Sequence, residues 1–310
     1  MLLSALTVVA PVFALVALGY GTARTGVVSQ KAGNGLSEFV FVLAIPALLF
    51  RTVAGSEFPS LNPFPYWLAY FFSLVICWMI ASMLARRMGR DTREAAIIGF
   101  SSAQSNTVMI GIPLILGTLG EAGTVPIILL LVVHSPLTMT AVALIIARDE
   151  AGGGKGLKLL KAIFTNPILV SIGIGIIWRQ TGIPIPGVMK SVLKFLGDTA
   201  APCALVAMGM SMTRATLAGN KRLIGTIAFL KLVVHPVLVY IMVVPVFHLP
   251  PVFAASAVLF AACPTGINAY LLAERYRSGE SVVSGAITLT TMLAIFTMTV
   301  AVSVMMTYGK

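Results

Sequence analysis

Two apolar stretches, one in each half of the chain, are interrupted in their middles. The first reads Ser101-Ser-Ala-Gln-Ser-Asn-Thr-Val-Met-Ile-Gly-Ile-Pro113, the second Ala261-Ala-Cys-Pro-Thr-Gly-Ile-Asn-Ala-Tyr270. A membrane segment has no water to satisfy its backbone. Irregular backbone therefore survives at membrane depth only where protein or a watery cavity receives its polar groups. Matching interruptions in two halves are the mark of a substrate site in a secondary transporter.

The rest of the chain supplies the membrane setting. Of its residues, 58% are hydrophobic and only 10% charged, and the mean hydropathy is +0.99. Apolar runs long enough for a bilayer fall at 3–22, 36–54, 64–85, 94–118, 124–147, 163–179, 191–212, 224–247, 252–274 and 283–307. Turn-forming residues and charges separate them. The expected fold is an all-α integral membrane protein of ten transmembrane helices. Met1 opens directly on an apolar run with no basic stretch before it, so no cleaved signal peptide is expected.

A net charge of +11 points to nucleic acid in a soluble protein. Here the basic residues sit in short loops instead. Those after the odd-numbered segments hold Arg24 and Lys31; Arg86, Arg87, Arg90 and Arg93; Arg148, Lys155, Lys158 and Lys161; Arg214, Lys221 and Arg222; Arg275 and Arg277. The opposite side holds Arg51, Arg179, Lys190, Lys194 and Lys310. The basic side is cytoplasmic by the positive-inside rule, which puts both termini outside, in a cell membrane, with the lipid bilayer as partner and no nucleic acid. Cys77, Cys203 and Cys263 all lie in apolar runs and read as small core residues.

Ten segments divide five and five. An odd number per half inverts the second half relative to the first, giving inverted repeats at 1–147 and 163–310 with a cytoplasmic linker at 148–162. Segment 4, with Asn106 and Pro113, then corresponds to segment 9, with Pro264 and Asn268, as broken crossover helices. Ala44-Ile-Pro-Ala-Leu-Leu-Phe50 and Ala201-Pro-Cys-Ala-Leu205 match in layout.

A broken helix exposes free N–H groups at one half-helix end and free carbonyls at the other. Two N-termini, each carrying partial positive charge, make an anion site without a basic residue. Asn106 and Asn268 add amide donors; Ser102, Ser105, Thr107 and Thr265 add hydroxyls; Gly111 and Gly266 allow close backbone approach. Asparagine in a membrane helix also serves simply to tie helices together. The paired breaks favour substrate contact for Asn106 and leave both roles open for Asn268. Pro113 and Pro264 are the candidate hinges.

Ionisable groups within spans cost about 2.5–3.5 kcal/mol on insertion scales and are functional candidates by default. Lys231 and His235 share a helix face at i, i+4, and are candidates for proton or ion coupling. Lys231 reads first as a structural cation held by a carboxylate or by free carbonyls. His134, beside Ser135 and Pro136, reads first as a neutral hydrogen-bonded histidine and second as a titrating one. Asp198 is the best intramembrane carboxylate and a candidate proton carrier, although Lys194 at i−4 favours an interfacial role.

Four motifs in order, Phe41-Val-Leu-Ala-Ile-Pro-Ala-Leu-Leu-Phe50, Ser105-Asn-Thr-Val-Met-Ile-Gly-Ile-Pro-Leu114, Leu230-Lys-Leu-Val-Val-His-Pro236 and Cys263-Pro-Thr-Gly-Ile267, resemble the auxin efflux carrier family. That family includes bacterial permeases and the plant PIN-formed carriers. The resemblance implies a fold like that of bile-acid sodium symporters, with a scaffold and a mobile crossover domain moving in an elevator-like manner. It also implies a small carboxylate substrate, auxin-like or malonate-like, bound with help from Asn106, and a homodimer through the second and seventh helices. Plant members carry proline before that asparagine, where this chain has Ser105. The break is therefore expected to be looser here, with Pro113 sharing its role.

No enzyme signature is present. Gly152-Gly-Gly-Lys-Gly156 lacks the spacing of a phosphate loop, and no metal, ATP site or cofactor is expected. The function read from the sequence is secondary transport of a small organic anion. A passive anion channel or membrane-embedded sensor is the alternative. Moving one charge through 100 mV is worth about 2.3 kcal/mol, so an uncoupled monoanion carrier exports from a negative interior. No carboxylate pair flanks the breaks to hold Na+, which favours uncoupled or H+-linked transport.

Overall fold

The computed structural model describes residues 2–55, 62–149, 167–214 and 219–308. Over these residues the chain is helical, except for a lone antiparallel bridge between Ser105 and Thr265. The first half comprises α1 (Leu2–Arg24), α2 (Gln30–Phe39), α3 (Ile45–Gly55), α4 (Phe64–Arg87), α5 (Thr92–Ala103), α6 (Ile112–Leu119) and α7 (Thr124–Asp149). The second comprises α8 (Pro167–Gln180), α9 (Gly187–Ser211), α10 (Lys221–Phe229), α11 (His235–Ile241), α12 (Pro251–Ala262), α13 (Ile267–Tyr276) and α14 (Glu280–Tyr308).

Among the described residues, seven helical stretches are long and apolar enough to cross a bilayer: Leu3–Arg24, Gln30–Gly55, Phe64–Arg87, Thr107–Ile146, Gly187–Ser211, Lys221–Val246 and Glu280–Tyr308. Pro167–Gln180 and Pro251–Ala262 are shorter apolar helices. The expected segment at 94–118 is divided between α5 and α6, and that at 252–274 between α12 and α13. Each piece alone falls short of the roughly 20 residues a bilayer demands. Most of the expected linker at 148–162 lies outside the described residues, while α7 runs on to Asp149.

Local chemistry sets several helix starts. Ser29 caps α2 by accepting from Ala32 N (3.2 Å). Asp91 caps α5 by accepting from Glu94 N (2.7 Å), with Glu94 at the third position as in a capping box. Asn220 caps α10 through Arg222 N and Leu223 N. These side chains satisfy N–H groups that have no intrahelical acceptor.

Four π turns interrupt the described helices, at Val40–Ala44, Thr107–Gly111, Leu230–Val234 and Met242–Val246. Each of the first three is followed, after one residue, by proline: Pro46, Pro113 and Pro236. Proline lacks an N–H and its ring clashes with the carbonyl four residues earlier. A wider turn just before it moves that carbonyl away.

Large apolar residues lie both inside and outside. Tyr66, Tyr70, Phe100 and Phe260 are fully buried, whereas Phe195 and Phe296 are 72% and 69% exposed. An apolar outer face belongs in lipid. Without a hydrophobic drive between helices, close packing and polar contacts hold them together. The α1–α9 pair shows this: a Cβ at Gly209 would sit 1.9 Å from the Val16 carbonyl oxygen. Trp67 Nε1 donates to the Leu129 carbonyl (2.8 Å) and Tyr66 Oη to that of Pro126 (3.2 Å), tying α4 to α7.

Candidate functional site

The two interruptions meet. Pro264 has no N–H, and the residue before a proline avoids helical geometry. Cys263 is accordingly extended (φ −58, ψ 146) and α12 stops at Ala262. In the first half Gln104 turns extended (φ −75, ψ 117) and ends α5. The freed backbones then pair with each other. Asn106 N donates to the Pro264 carbonyl at 2.8 Å, and Gly266 N donates to the Gln104 carbonyl at 3.0 Å. Thr265 Oγ1 donates to the Ser101 carbonyl (3.0 Å), and Thr265 N to Thr290 Oγ1 on α14 (3.2 Å). A two-bond ladder thus replaces the missing helical bonds of both breaks.

Gly266 is required by space. A Cβ there would lie 2.8 Å from the Ser105 carbonyl oxygen, closer than real Cβ contacts. Gly111 faces Cys263 Sγ in the same manner, with 3.3 Å available.

Asn106 stands between the ladder and the next turn. Its Oδ1 accepts from Met109 N at 3.4 Å, capping the π turn that follows. Its Nδ2 meets only the sulfur of Met208 on α9, at 3.3 Å, and thioether sulfur is a weak acceptor. At 4% exposure, Asn106 therefore holds a buried donor with nearly all of its hydrogen-bonding capacity unspent. Ser105, Thr107, Pro264 and Thr265 are buried around it. The start of the Thr107–Gly111 π turn and the N-terminus of α13 both open at the crossing, and their dipoles favour an anion there.

Similarity to known proteins bears on this arrangement. The family described as Membrane transport protein (Mem_trans), the auxin efflux carrier family, matches residues 4–302. The chain belongs to the auxin efflux carrier family. Among its relatives, a protein of Rhizobium meliloti (strain 1021) named "Putative malonate transporter" is 30% identical over 298 residues, covering 94% of this chain and 92% of the relative. A protein of Methanothermobacter thermautotrophicus named "Uncharacterized transporter" is 23% identical over 295 residues, covering 92% and 93%. The chain is thus a multi-pass membrane transporter of the auxin efflux carrier family, and the names of the family and of these relatives point to a transporter rather than an enzyme.

Within this family member, Ser105 does not abolish the break expected of proline. Its backbone bridges to Thr265, and its Oγ stands 3.5 Å from Tyr70 Oη. Pro113 lies beyond the break, as the second residue of α6, where proline is tolerated. The bend next to it is the π turn. Asn268, half-buried as the second residue of α13, takes no part in the ladder.

The coupling candidates divide. Lys231 and His235 are completely buried, with Lys231 Nζ 3.3 Å from His235 Nδ1 and donating to the Ala261 carbonyl. Among the described residues one free carbonyl and the His235 ring, not a carboxylate, hold the lysine. His134 is also fully buried, but neither ring nitrogen has a hydrogen-bond partner among the described residues, so the hydrogen-bonded histidine expected there is not observed. Aromatic rings of Tyr70, Phe71 and Phe260 surround it instead. Asp198 is 49% exposed and pairs with Lys194 (2.5 Å) and Arg51 (3.8 Å) at the bundle surface, away from the crossing.

Sequence reading missed Gln104, Tyr70, Met208 and Thr290. Gln104 Oε1 accepts from Thr138 Oγ1 (3.2 Å) while its Nε2 is buried without a partner. Its place beside Ser105 was the available signal. Tyr70 sits in an apolar stretch of α4 and Met208 in the apolar C-terminal part of α9, and neither gives one.

Proposed function

We propose that this transporter carries a small organic anion, a carboxylate of malonate-like or auxin-like kind, bound at the crossing of the two breaks. The observation that carries the reading is the buried Nδ2 of Asn106, spent only on a thioether sulfur beside two opening helix N-termini. A carboxylate would accept from Nδ2 and from the free N–H groups at the start of α13, gaining charge-assisted bonds. Ser105, Thr107, Gly111, Pro264, Thr265 and Gly266 would form the wall, with Asn268 at its edge. Neutral donors bind an anion weakly enough to release it, as a carrier requires. The malonate in the name of the Rhizobium meliloti relative supports the choice of class.

The architecture we infer is ten membrane segments in two inverted five-helix repeats, 1–147 and 163–310, joined by a cytoplasmic linker. Supporting it, α1 packs on α9 while α8 packs on α3, the same pairing exchanged between halves. Basic odd-numbered loops support cytoplasmic placement of that side, with both termini outside. Elevator-type motion of the crossing against a scaffold, and a homodimer through the second and seventh segments, complete the proposal.

Charge movement in reconstituted vesicles tests it, using a panel of mono- and dicarboxylates. A saturable current or uptake for one carboxylate, lost in Asn106→Ala, is expected. Transport that survives in that variant would remove Asn106 from the site. Turnover without saturation would favour a passive channel, and binding without flux a sensor.

A further inference from the structure

Lys231 is among the largest fully buried side chains in the protein, and no described acidic side chain pairs with it. Its ammonium position donates to Ala261, the penultimate residue of α12. That carbonyl is one of the four left free at a helix C-terminus, where the dipole leaves roughly half a negative charge. Two residues on from the helix end, the Pro264 carbonyl receives Asn106 N. A second route to the crossing runs through side chains. The His235 and Tyr70 rings lie 5.3 Å apart, and Tyr70 Oη stands 3.5 Å from Ser105 Oγ.

The titratable groups that face this cluster are Tyr70 and Cys77 from α4, His134 from α7 and Cys263 from the second break. Cys77 Sγ donates to the Leu230 carbonyl in the lysine's own turn. From α5, α10 and α14, the charged residues Arg93, Glu94, Lys221, Arg222 and Glu280 stand at helix ends. Among the described residues no carboxylate faces the lysine. A full positive charge held dry against only a partial dipole costs several kcal/mol. A carboxylate at the crossing is the counter-charge that the described side chains do not provide.

We infer that Lys231 binds the coupling proton: it is a neutral amine in the empty carrier and an ammonium when a carboxylate occupies the crossing. This rests on the carboxylate reading of the crossing and supplies its coupling ion. The step is a protonation alone. A proton from water adds to the Nζ lone pair as the anion enters, and it leaves as the anion leaves. His235 carries its proton on Nε2 in both states: in the empty state the neutral amine donates its two N–H groups to His235 Nδ1 and to the Ala261 carbonyl, and its lone pair is left for the incoming proton. In the loaded state the ammonium donates to both His235 and Ala261.

The test uses the purified full chain in detergent with malonate as probe at pH 7.5. Binding is read as a rise in melting temperature, and proton uptake by an indicator dye in weak buffer. Expected for the wild type is a raised melting temperature with about one proton taken up per malonate bound. Lys231→Arg carries its charge permanently, so malonate should still raise the melting temperature while proton uptake disappears. The same variant separates Lys231 from protonation of malonate itself. Stabilisation of the wild type without proton uptake overturns the coupling and leaves the carboxylate site standing. Uptake that persists in Lys231→Arg also overturns it, moving the proton to another group. If the wild type shows neither stabilisation nor uptake with malonate or a monocarboxylate panel, the carboxylate reading fails and the coupling falls with it. Should the arginine variant not fold, Lys231→Met takes its place: neutral and of similar length, it should show a smaller malonate-induced rise in melting temperature and no proton uptake, and uptake that persists overturns the coupling.

Discussion

At the scale of single residues, Asn106 does two jobs with two atoms, and substitution can separate them. Its Oδ1 caps a turn, and its Nδ2 is the donor left for an anion. Asn106→Ala removes both, with a stability loss of about 1 kcal/mol from the cap and loss of transport. Asn106→Asp keeps an acceptor for the cap but sets a negative charge where the anion binds. Its melting temperature should stay nearer the wild type's while carboxylate uptake falls by at least about tenfold, a penalty near 1.4 kcal/mol; uptake at wild-type level would rule out anion binding at this atom. Gly266→Ala drives a methyl against the Ser105 carbonyl, a backbone atom that cannot rotate away. It should lower stability by about 1–3 kcal/mol, seen as a lower melting temperature. The need for glycine at 266 was legible in the sequence, because Pro264 and Gly266 announce a break by their own backbone rules. The roles of Tyr70 and Met208 were not. What a tyrosine or methionine touches across a bundle leaves no trace in the pattern of its own helix.

Helices show a similar division between what their sequences dictate and what their neighbours do. Caps at Ser29, Asp91 and Asn220 follow from local chemistry. The four π turns do not, although prolines mark where three of them end. Glycines illustrate the difference best. Gly209 faces the Val16 carbonyl on α1, so Gly209→Ala must push α1 and α9 apart. Gly225 on α10 has nothing within 4 Å of its would-be Cβ. There the better helix propensity of alanine should prevail, worth up to about 1 kcal/mol. Thermal melting of the two variants should therefore move in opposite directions, down for Gly209→Ala and level or up for Gly225→Ala. A drop in both would mean that the α1–α9 approach is not the reason for the glycine. Asp198 belongs at this scale too. Its spacing from Lys194 along α9 was readable, but the third partner, Arg51, comes from α3.

For the whole molecule, the charge on the moving unit sets how voltage acts on it. If Lys231 gains a proton with a monoanion, the loaded carrier is neutral. A potential of 100 mV, able to sustain a roughly fifty-fold gradient for an uncoupled monoanion, should then leave the steady gradient unchanged. A pH difference of one unit should shift it about tenfold. Vesicles clamped with potassium and valinomycin distinguish the two. A gradient that follows voltage and ignores pH would mean uncoupled transport. The ladder at the crossing also orders events in time. Ser101 and Thr265 are 164 positions apart along the chain, so the first break must enter the membrane long before its partner has been made. At about 5–20 residues per second, the ribosome leaves the carbonyls of Ser101 and Gln104 waiting roughly ten to thirty seconds. A nascent chain halted in that interval holds an unfinished joint, open to whatever polar group the insertion machinery offers it.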